Sequence, residues 1–226
     1  VDYYNQFHKI PKNKILTLYN DISLSRFYPI SANEKERNKQ KIIGTNKNVM
    51  LFVHTFNKSR GADLLPLIAK RIKDNNLNTI IIAIGRPGDY SVQLDKEIKV
   101  NQLEGCLLNL GMVANKDISK YYQIADLFIM PSRGEGFPRV LLESMACACP
   151  AIAFDVGGVK NILPEELIEE LVIPVNDELK FIDQSLKIIH DEDSLLHYGQ
   201  KSLKNVEKYS TENIAQMYVD CLHTLQ

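Results

Sequence analysis

The chain has 226 residues, of which 45% are apolar and 24% charged, which is the composition of a soluble globular protein with a sizeable core. Its 27 basic and 28 acidic residues leave a formal net charge of −1, so no overall field favours nucleic acid or a membrane surface. The longest apolar runs have the length of strands, and residues 1–14 lack the apolar centre of a signal peptide.

The first part of the chain is predicted to hold one short strand and one polar segment. Residues 14–20 have the apolar character of a strand. Residues 31–48 are polar and mixed in charge, which predicts a solvated loop rather than a functional basic patch.

From residue 49 onward, apolar runs alternate with segments of helical periodicity. The runs are typical of strands that are buried on both faces, and they lie at 49–56, 78–85, 105–111, 126–132, 150–155 and 170–175. Helices are predicted near 60–75, 117–125, 178–191, 194–208 and 211–225, with one polar helix ending near 103 and another helix beginning near Phe137. This alternation predicts an α/β fold, a Rossmann-like parallel sheet of about six strands with helices on both faces.

In such a sheet, ligands bind beyond the carboxyl ends of the strands. Four turns follow predicted strands there, at 54–61, 85–89, 111–116 and 132–137, and we expect them to line one crevice.

The cysteine and histidine pattern does not indicate a metal site. The four cysteines are interpreted as reduced thiols of a cytosolic protein, and the five histidines are scattered along the chain.

The fourth turn leads into a helix with two glutamates eight positions apart, Glu135 and Glu143. At about 1.5 Å per helical residue, Glu143 is expected on the order of 10 Å beyond Glu135, too far for both to act on one bond. Two acceptor-only carboxylates at this spacing suit an elongated ligand with hydroxyls at both ends, such as a nucleotide diphosphate sugar. Free N–H groups near Phe137 suit an anion, and Gly134 and Gly136 permit close approach of the backbone.

The alternative for this pair is structural. Glu135 would then stabilise the helix N-terminus, and Glu143 would be a surface position.

The segment PSRGEGFPRVLLESMACACPAIAFDVGG resembles the donor-site motif of group 1 retaining glycosyltransferases, with its E-x7-E pair. LYNDISLSRFYP resembles the segment that enters their C-terminal domain, VMLFVHTFNKSRGADLL their first strand and phosphate loop, and YYQIADLFIMPS the stretch before the motif. The resemblance covers nearly the whole chain. It implies the GT-B architecture of two Rossmann-like domains across a cleft, with this chain as the C-terminal half.

The resemblance implies a division of the chain into four parts. Residues 1–30 would be an inter-domain connection and the first strand, and residues 31–48 a polar loop. Residues 49–210 would form the donor-binding domain. Residues 211–226 would be a helix that returns toward an N-terminal acceptor domain beyond this chain.

Roles follow for residues at the matching positions. Glu143 would hold the ribose hydroxyls, and Glu135 would contact the transferred sugar near the reaction centre. Arg60 stands where the family usually has a lysine on the diphosphate, so Glu135 and Arg60 are the candidate catalytic residues. The candidate substrate-binding residues are Thr55, Lys58, Val113 facing the base, Gly136, Phe137, Arg139, Val140 and Glu143.

The chain also departs from the family pattern. Thr55 stands where the family has an arginine, which removes one phosphate-neutralising charge that Lys58 would replace. His54 stands at a glycine position and is interpreted as structural. Cys149, Lys160 and Asn161 stand at positions of glycine, proline and glutamate.

The implied activity is that of a hexosyltransferase-type enzyme in polysaccharide or glycoconjugate biosynthesis. It would move a sugar from a nucleotide diphosphate sugar to an acceptor with retention, without a cofactor or metal. The implied partners are the nucleotide-sugar donor and the N-terminal acceptor domain, and not nucleic acid. We expect a cytoplasmic location, with any contact to the inner face of a membrane made by the part beyond this chain, and little transfer by the isolated chain.

Three alternatives remain. One is a sugar-nucleotide-binding module without catalysis. Another is a dinucleotide-dependent oxidoreductase, since GEGFPR at 134–139 opens a helix and Asp155 lies about 20 residues further on. Against this, Arg139 replaces the third glycine and Glu135 would repel a pyrophosphate. The last is a GT-B sugar-nucleotide epimerase, which the E-x7-E segment disfavours.

Overall fold

A computed structural model describes residues 6–11, 14, 15 and 17–223. At its centre lies a parallel sheet of six strands in the order β3-β2-β1-β4-β5-β6. The strands are β1 (Asn48–Val53), β2 (Thr79–Ile84), β3 (Leu107–Gly111), β4 (Leu127–Met130), β5 (Ala151–Phe154) and β6 (Val172–Ile173). The strand order reverses between β1 and β4, as in doubly wound sheets, so the predicted Rossmann-like fold is confirmed.

Helices cover both faces of the sheet. They are α1 (Ala32–Ile43), α2 (Leu65–Asp74), α3 (Ser91–Val100), α4 (Ile118–Ile124), α5 (Arg139–Ala146), α6 (Val159–Ile162), α7 (Ile168–Leu171), α8 (Glu178–Ile189), α9 (Glu192–Val206) and α10 (Thr211–His223). On one face α2 packs against α3 and α8, and on the other α5 packs against α4 and α9. Right-handed crossovers on either side of the reversal give this arrangement. Within the described ranges, no helix combines the length and hydropathy needed to cross a bilayer.

Strands β1 and β2 could be predicted from the sequence because their buried residues form continuous apolar runs. All six residues of β2 are buried. β1 and β2 pair in register from Asn48 opposite Thr79 to Val53 opposite Ile84. Both strands therefore end at the same level, and the turns that follow them leave the sheet side by side.

Residues 31–48 are not the predicted solvated loop, because Ala32–Ile43 form α1. Ser31 is the N-cap, and its side chain and that of Glu34 form a reciprocal capping box. Gly44 ends the helix in the left-handed conformation at φ 65°. Polar composition concealed this helix, although its S-x-x-E start was present in the sequence.

Two lysines of α1 attach it to the amino edge of β4. Nζ of Lys35 and Nζ of Lys39 lie 2.8 and 2.9 Å from the carboxylate of Asp126, and Lys39 is only 3% exposed. The backbone N–H of Val49 also donates to this carboxylate, at 2.7 Å. Burial would raise the pKa of Asp126, but the two lysine charges and the hydrogen bonds from Lys35 and Val49 together outweigh burial, and the pKa is lowered. Helix α1 is thus attached to the sheet, and the domain boundary at residue 49 stays a prediction.

The strand predicted at 14–20 is wrong for its described residues, and residue 16 lies outside them. The edges of the sheet are β3 and β6, and Ile22 makes only an isolated bridge with Ser210. Tyr19 packs instead on the ring of Phe137, with 5.2 Å between centroids. Its apolar surface is therefore covered by another aromatic side chain and not by a strand partner.

The predicted C-terminal helix is present as α10, with Ile214 buried and Tyr218 and Leu222 exposed. Residues 1–5, 12, 13 and 224–226 of the predicted terminal parts lie outside the described residues. The return of this helix toward another domain stays a prediction.

Candidate functional site

The four predicted turns meet at the carboxyl edge of the sheet, where the strand order reverses. Backbone hydrogen bonds join neighbouring turns: Arg133 N to Ser59 O (2.9 Å), Phe56 N to Arg86 O (3.0 Å) and Gly85 N to Gly111 O (2.8 Å). The reversal between β1 and β4 is the point at which doubly wound sheets bind their ligands.

Glu135 lies at this reversal, in the turn after β4. Its Oε1 lies 3.1 Å from Nε2 of His54 and 2.6 Å from Nη1 of Arg60, both in the turn after β1. Ser132 Oγ donates to the same oxygen at 2.8 Å. Burial alone would raise the pKa of Glu135, but the hydrogen bonds from His54 and Ser132 and the charge of Arg60 lower it overall. Glu135 is therefore an ionised group that links the two turns, and not only a charge near a helix end.

Two glycines after β5 fix the backbone of the Glu135 turn. Gly157 has φ +49°, and a Cβ there would lie 2.1 Å from the carbonyl oxygen of Glu135. The next residue, Gly158, donates its N–H to the carbonyl of Gly136 at 2.7 Å. The double-glycine turn therefore supports the loop that carries Glu135.

A glycine also lets the Arg60 turn approach β4. Arg60 ends the 3-10 turn Lys58–Arg60, and Gly61 follows with φ 77°. A Cβ on Gly61 would lie 2.1 Å from the carbonyl oxygen of Pro131. In this position the Arg60 guanidinium donates to the carbonyl of Gly134 as well as to Glu135.

The two other predicted residues of this turn lie differently. Thr55 is half-buried and donates its backbone N–H to Nδ1 of His54 at 2.8 Å. Lys58 is exposed, and its Nζ lies 5.8 Å from the ring centroid of Tyr90. Of the two cations predicted in this turn, Arg60 forms an ion pair with Glu135, whereas Lys58 lies over the ring of Tyr90.

Helix α5 begins at Arg139, two residues later than predicted. Pro138 is its N-cap, and a proline keeps the preceding residue out of the helical region. The N–H groups of Arg139 and Val140 have no acceptor within the helix, and no side chain caps them. These N–H groups are available to a ligand beside the Glu135 turn.

Phe137 was predicted to offer a free backbone N–H group to the ligand, but its observed contacts are with other parts of the chain. Its carbonyl accepts from Nδ2 of Asn20 at 3.2 Å. Its ring packs against Tyr19 and, at 5.6 Å between centroids, against Tyr209. Phe137 thus anchors the turn in an aromatic cluster.

Glu143 lies half-buried on α5, apart from the partners of Glu135. Burial raises the pKa of Glu143, and the nearby Tyr122 hydroxyl and the charges of Arg139 and Arg26 offset this only in part. The buried Tyr122 hydroxyl lies close enough to Glu143 to lower its pKa, but it makes no hydrogen bond of standard geometry among the described residues. Glu143 is consequently an acceptor held at the edge of the core and not an ordinary surface position.

Val113 lines a cavity of about 560 Å³ at the same edge, together with Val53, Gly85, Arg86 and Asn115. Arg26 binds the Asn115 of this lining, because its Nη2 donates to Oδ1 of Asn115 at 2.8 Å and to the Asn115 carbonyl.

Sequence reasoning missed several residues of this region. Arg26, His54 and Ser132 were not among the predicted site residues. Arg26 donates a hydrogen bond to Asn115, which lies 89 positions later in the chain, and local sequence patterns do not predict such a contact. The position of His54 directly after a buried strand was the available signal.

The residues behind a metal site or a dinucleotide site are placed differently from what either site needs. In the part of the chain that the structure describes, no group of three His, Cys, Asp or Glu side chains could hold a metal ion. Asp155, on which the dinucleotide alternative depends, forms an ion pair with Lys160 at 2.6 Å.

Comparison with known proteins gives consistent matches. The family model described as Glycosyl transferases group 1 matches residues 33–208. N-acetyl-alpha-D-glucosaminyl L-malate synthase of Bacillus anthracis is 26% identical over 218 residues, which cover 95% of this chain and 55% of that protein. The chain spans about half the length of the curated relatives it matches.

Two solved structures have the same fold. HepE from Anabaena in complex with UDP-glucose gives a TM-score of 0.78 at 19% identity, covering 92% of this chain and 57% of that one. The C-terminal domain of the group 1 family glycosyl transferase LpcC from Francisella tularensis gives 0.73 at 22% identity, covering 84% of this chain and 99% of that one.

Proposed function

The chain belongs to the group 1 glycosyl transferase family, and on this premise we propose that it binds a nucleotide diphosphate sugar as the donor half of a retaining glycosyltransferase. The observation that carries the proposal is the contact of Glu135 with His54 and Arg60 across the reversal of strand order. Membership of this family argues against the alternative of a dinucleotide-dependent oxidoreductase. The solved complex of HepE with UDP-glucose supports a donor of this class.

The leaving group would lie between Arg60 and the start of α5. The guanidinium offers charged donors, and the N–H groups of Arg139 and Val140 point out of an uncapped helix end. Negative charge grows on the diphosphate as its bond to the sugar breaks. Donors already in place at that point stabilise the transition state more than the ground state.

The nucleoside would extend along α5. The half-buried carboxylate of Glu143 would accept the ribose hydroxyls, and the cavity beside Val113 would take the base. Glu135 would meet the transferred sugar. The acceptor would come from a domain beyond this chain, so the isolated chain should transfer little or no sugar, and robust turnover by it would contradict this part of the proposal.

Calorimetric titration of the purified chain tests the binding. UDP, GDP and ADP are titrated first, then the glucose conjugate of whichever nucleotide binds. Glu143→Ala should weaken nucleotide binding by about tenfold or more, because it removes a charged acceptor. Glu104→Ala is the matched control, since Glu104 is an exposed glutamate before β3 at the amino edge. Binding of none of the three, or equal binding by both variants, would contradict the donor site.

A binding module without catalysis would give the same calorimetric results as a donor domain. This alternative is favoured by Thr55, where a phosphate-facing charge is missing. Turnover distinguishes the two. The full-length protein should consume the donor that this chain binds, and Glu135→Gln should abolish that consumption. A full-length protein that binds the donor and never consumes it is the module.

A further inference from the structure

One oxygen of the Glu135 carboxylate takes all the hydrogen bonds that the described part of the chain gives this side chain. Oε1 faces His54, Arg60 and Ser132 at 3.1, 2.6 and 2.8 Å. A carboxylate oxygen offers about two lone-pair sites, so Oε1 is saturated. Oε2 makes none of these contacts. The described residues that bury an unpartnered side-chain oxygen do not include Glu135, so Oε2 is not buried. The 10% of this side chain that remains exposed therefore includes Oε2.

The hydrogen bonds of His54 determine its tautomer. Nδ1 accepts the backbone N–H of Thr55 at 2.8 Å, so this nitrogen carries no proton. A neutral imidazole has one donor and one acceptor nitrogen, and the proton therefore lies on Nε2. That nitrogen faces Glu135 Oε1, so His54 donates its Nε2–H to the carboxylate.

The backbone of His54 is held more firmly than the side chain of Arg60. The His54 N–H donates to the carbonyl of Ile84 at 3.0 Å, and a Cβ on Gly85 would lie 1.6 Å from the His54 carbonyl oxygen. Arg60 is a long side chain that is 31% exposed. Arg60 can turn toward an arriving diphosphate, whereas His54 stays against Glu135.

We propose that His54 is a positioning residue that, as its neutral Nε2–H tautomer, holds Oε1 of Glu135 so that Oε2 alone accepts a sugar hydroxyl. This inference rests on the proposed donor site. With both oxygens free, Glu135 would accept two adjacent hydroxyls of a sugar ring. With Oε1 occupied, it selects one hydroxyl, and it keeps that orientation while Arg60 moves to the diphosphate.

Nitrogen NMR of the imidazoles tests the tautomer in the free chain. The His54 signals are those that His54→Asn removes. At neutral pH they should show an unprotonated Nδ1 and a protonated Nε2, and Glu135→Ala should shift the Nε2 signal while leaving that of His190 unchanged. A proton on Nδ1, or a His54 ring insensitive to Glu135→Ala, would overturn the inference.

Two variants separate the halves of the imidazole. His54→Gln places an amide donor near the position of Nε2, and His54→Asn places an acceptor near that of Nδ1. The measured quantity is the ratio of the Kd of the nucleoside diphosphate to the Kd of its glucose conjugate. This ratio should fall about tenfold in His54→Asn and stay near the wild-type value in His54→Gln, with the Kd of the nucleoside diphosphate unchanged in both.

Monodeoxyglucose conjugates test the single oxygen. Removal of one hydroxyl should be non-additive with Glu135→Ala, and removal of its neighbours should be additive. Coupling to two adjacent hydroxyls, or equal ratios in the Asn and Gln variants, would overturn the proposal. If the wild-type chain binds none of the nucleotides, the proposed function fails and the hydroxyl assignment fails with it, while NMR still decides whether His54 positions Glu135.

Discussion

Gly157→Ala should lower the free energy of unfolding by more than the strain of a left-handed alanine alone, because the added Cβ would clash with the Glu135 turn. A Cβ at residue 157 would lie 2.1 Å from the carbonyl oxygen of Glu135 and 2.7 Å from that of Gly136. Real Cβ contacts keep roughly 3.0 Å, so the Glu135 carbonyl must retreat by about 0.9 Å. The turn is tied by the hydrogen bond from Gly158 to Gly136, and it cannot retreat freely.

Gly44→Ala is the matched control. Gly44 has φ +65°, close to the +49° of Gly157, but a Cβ there would meet nothing within 4 Å. The left-handed backbone alone costs about 1–2 kcal/mol in either variant. The forced contact at Gly157 adds about 1–3 kcal/mol, as overpacking does elsewhere.

Urea unfolding and thermal melts measure this difference. A gap of about 2 kcal/mol between the variants corresponds to roughly 4–8 °C in Tm for a chain of this size. Gly157→Ala should also weaken the glucose conjugate of the nucleotide that binds, because a shift near 1 Å displaces Glu135. Equal losses of stability in Gly157→Ala and Gly44→Ala would refute the argument that packing of the two turns fixes the site.

Three further predictions concern the scaffold. Asp126→Ala should lower the free energy of unfolding by about 3 kcal/mol, the lower end for a broken buried pair, because the buried Lys39 keeps only the exposed Glu36 at 3.2 Å. The folded-state pKa of Asp126 is lowered, so its contribution to the free energy of unfolding is complete above its unfolded pKa and is lost as pH falls through the folded pKa. Urea melts from pH 7 to pH 3 should show this loss in the wild type. An Asp126→Ala variant with the same pH dependence as the wild type would contradict it. Arg133→Lys should lose about 1–2 kcal/mol in urea melts, since it breaks a two-pronged contact with Asp63 at 2.8 and 3.1 Å, whereas Arg71→Lys, at an exposed 3.8 Å pair, should change little. Burial raises the pKa of the Cys149 thiol to about 12, so iodoacetamide should label Cys149 only after unfolding, and mass spectrometry that finds it labelled before half-buried Cys106 would contradict this.

The fold could be predicted wherever the stabilising information is local. β2 is a continuous apolar run because both of its faces are buried, and burial on both faces is what a parallel sheet requires. Helix α1 escaped the same logic. Its polar composition indicated a loop, and its main tertiary partner, Asp126, lies 90 or so positions away in the chain. The start of α5 could have been located from Pro138, whose constraint on Phe137 is local.

The site could be predicted to the level of turns but not of side-chain contacts. Carboxyl ends of parallel strands share one edge, so the meeting of the turns after β1 and β4 followed from topology. The contact of Glu135 with His54 and Arg60 depends on how each turn is bent, which Gly61 and Gly157 control through backbone approaches. The sequence showed His54 only as a departure from glycine, because nothing local indicates that the Thr55 amide orients its ring.

The loss of a cation at Thr55 therefore has a structural consequence beyond a missing charge. In the family pattern a second basic side chain in this turn would face the phosphates, but here Lys58 lies on Tyr90 and Arg60 is paired with Glu135. In the proposed donor site, an arriving diphosphate would compete with Glu135 for Arg60. If Arg60 turns away, Glu135 would lose its charged partner while still buried, which is unfavourable unless neutral donors remain. His54 and Ser132 are those donors, and in the proposed donor site they would let one arginine serve the diphosphate without releasing the carboxylate.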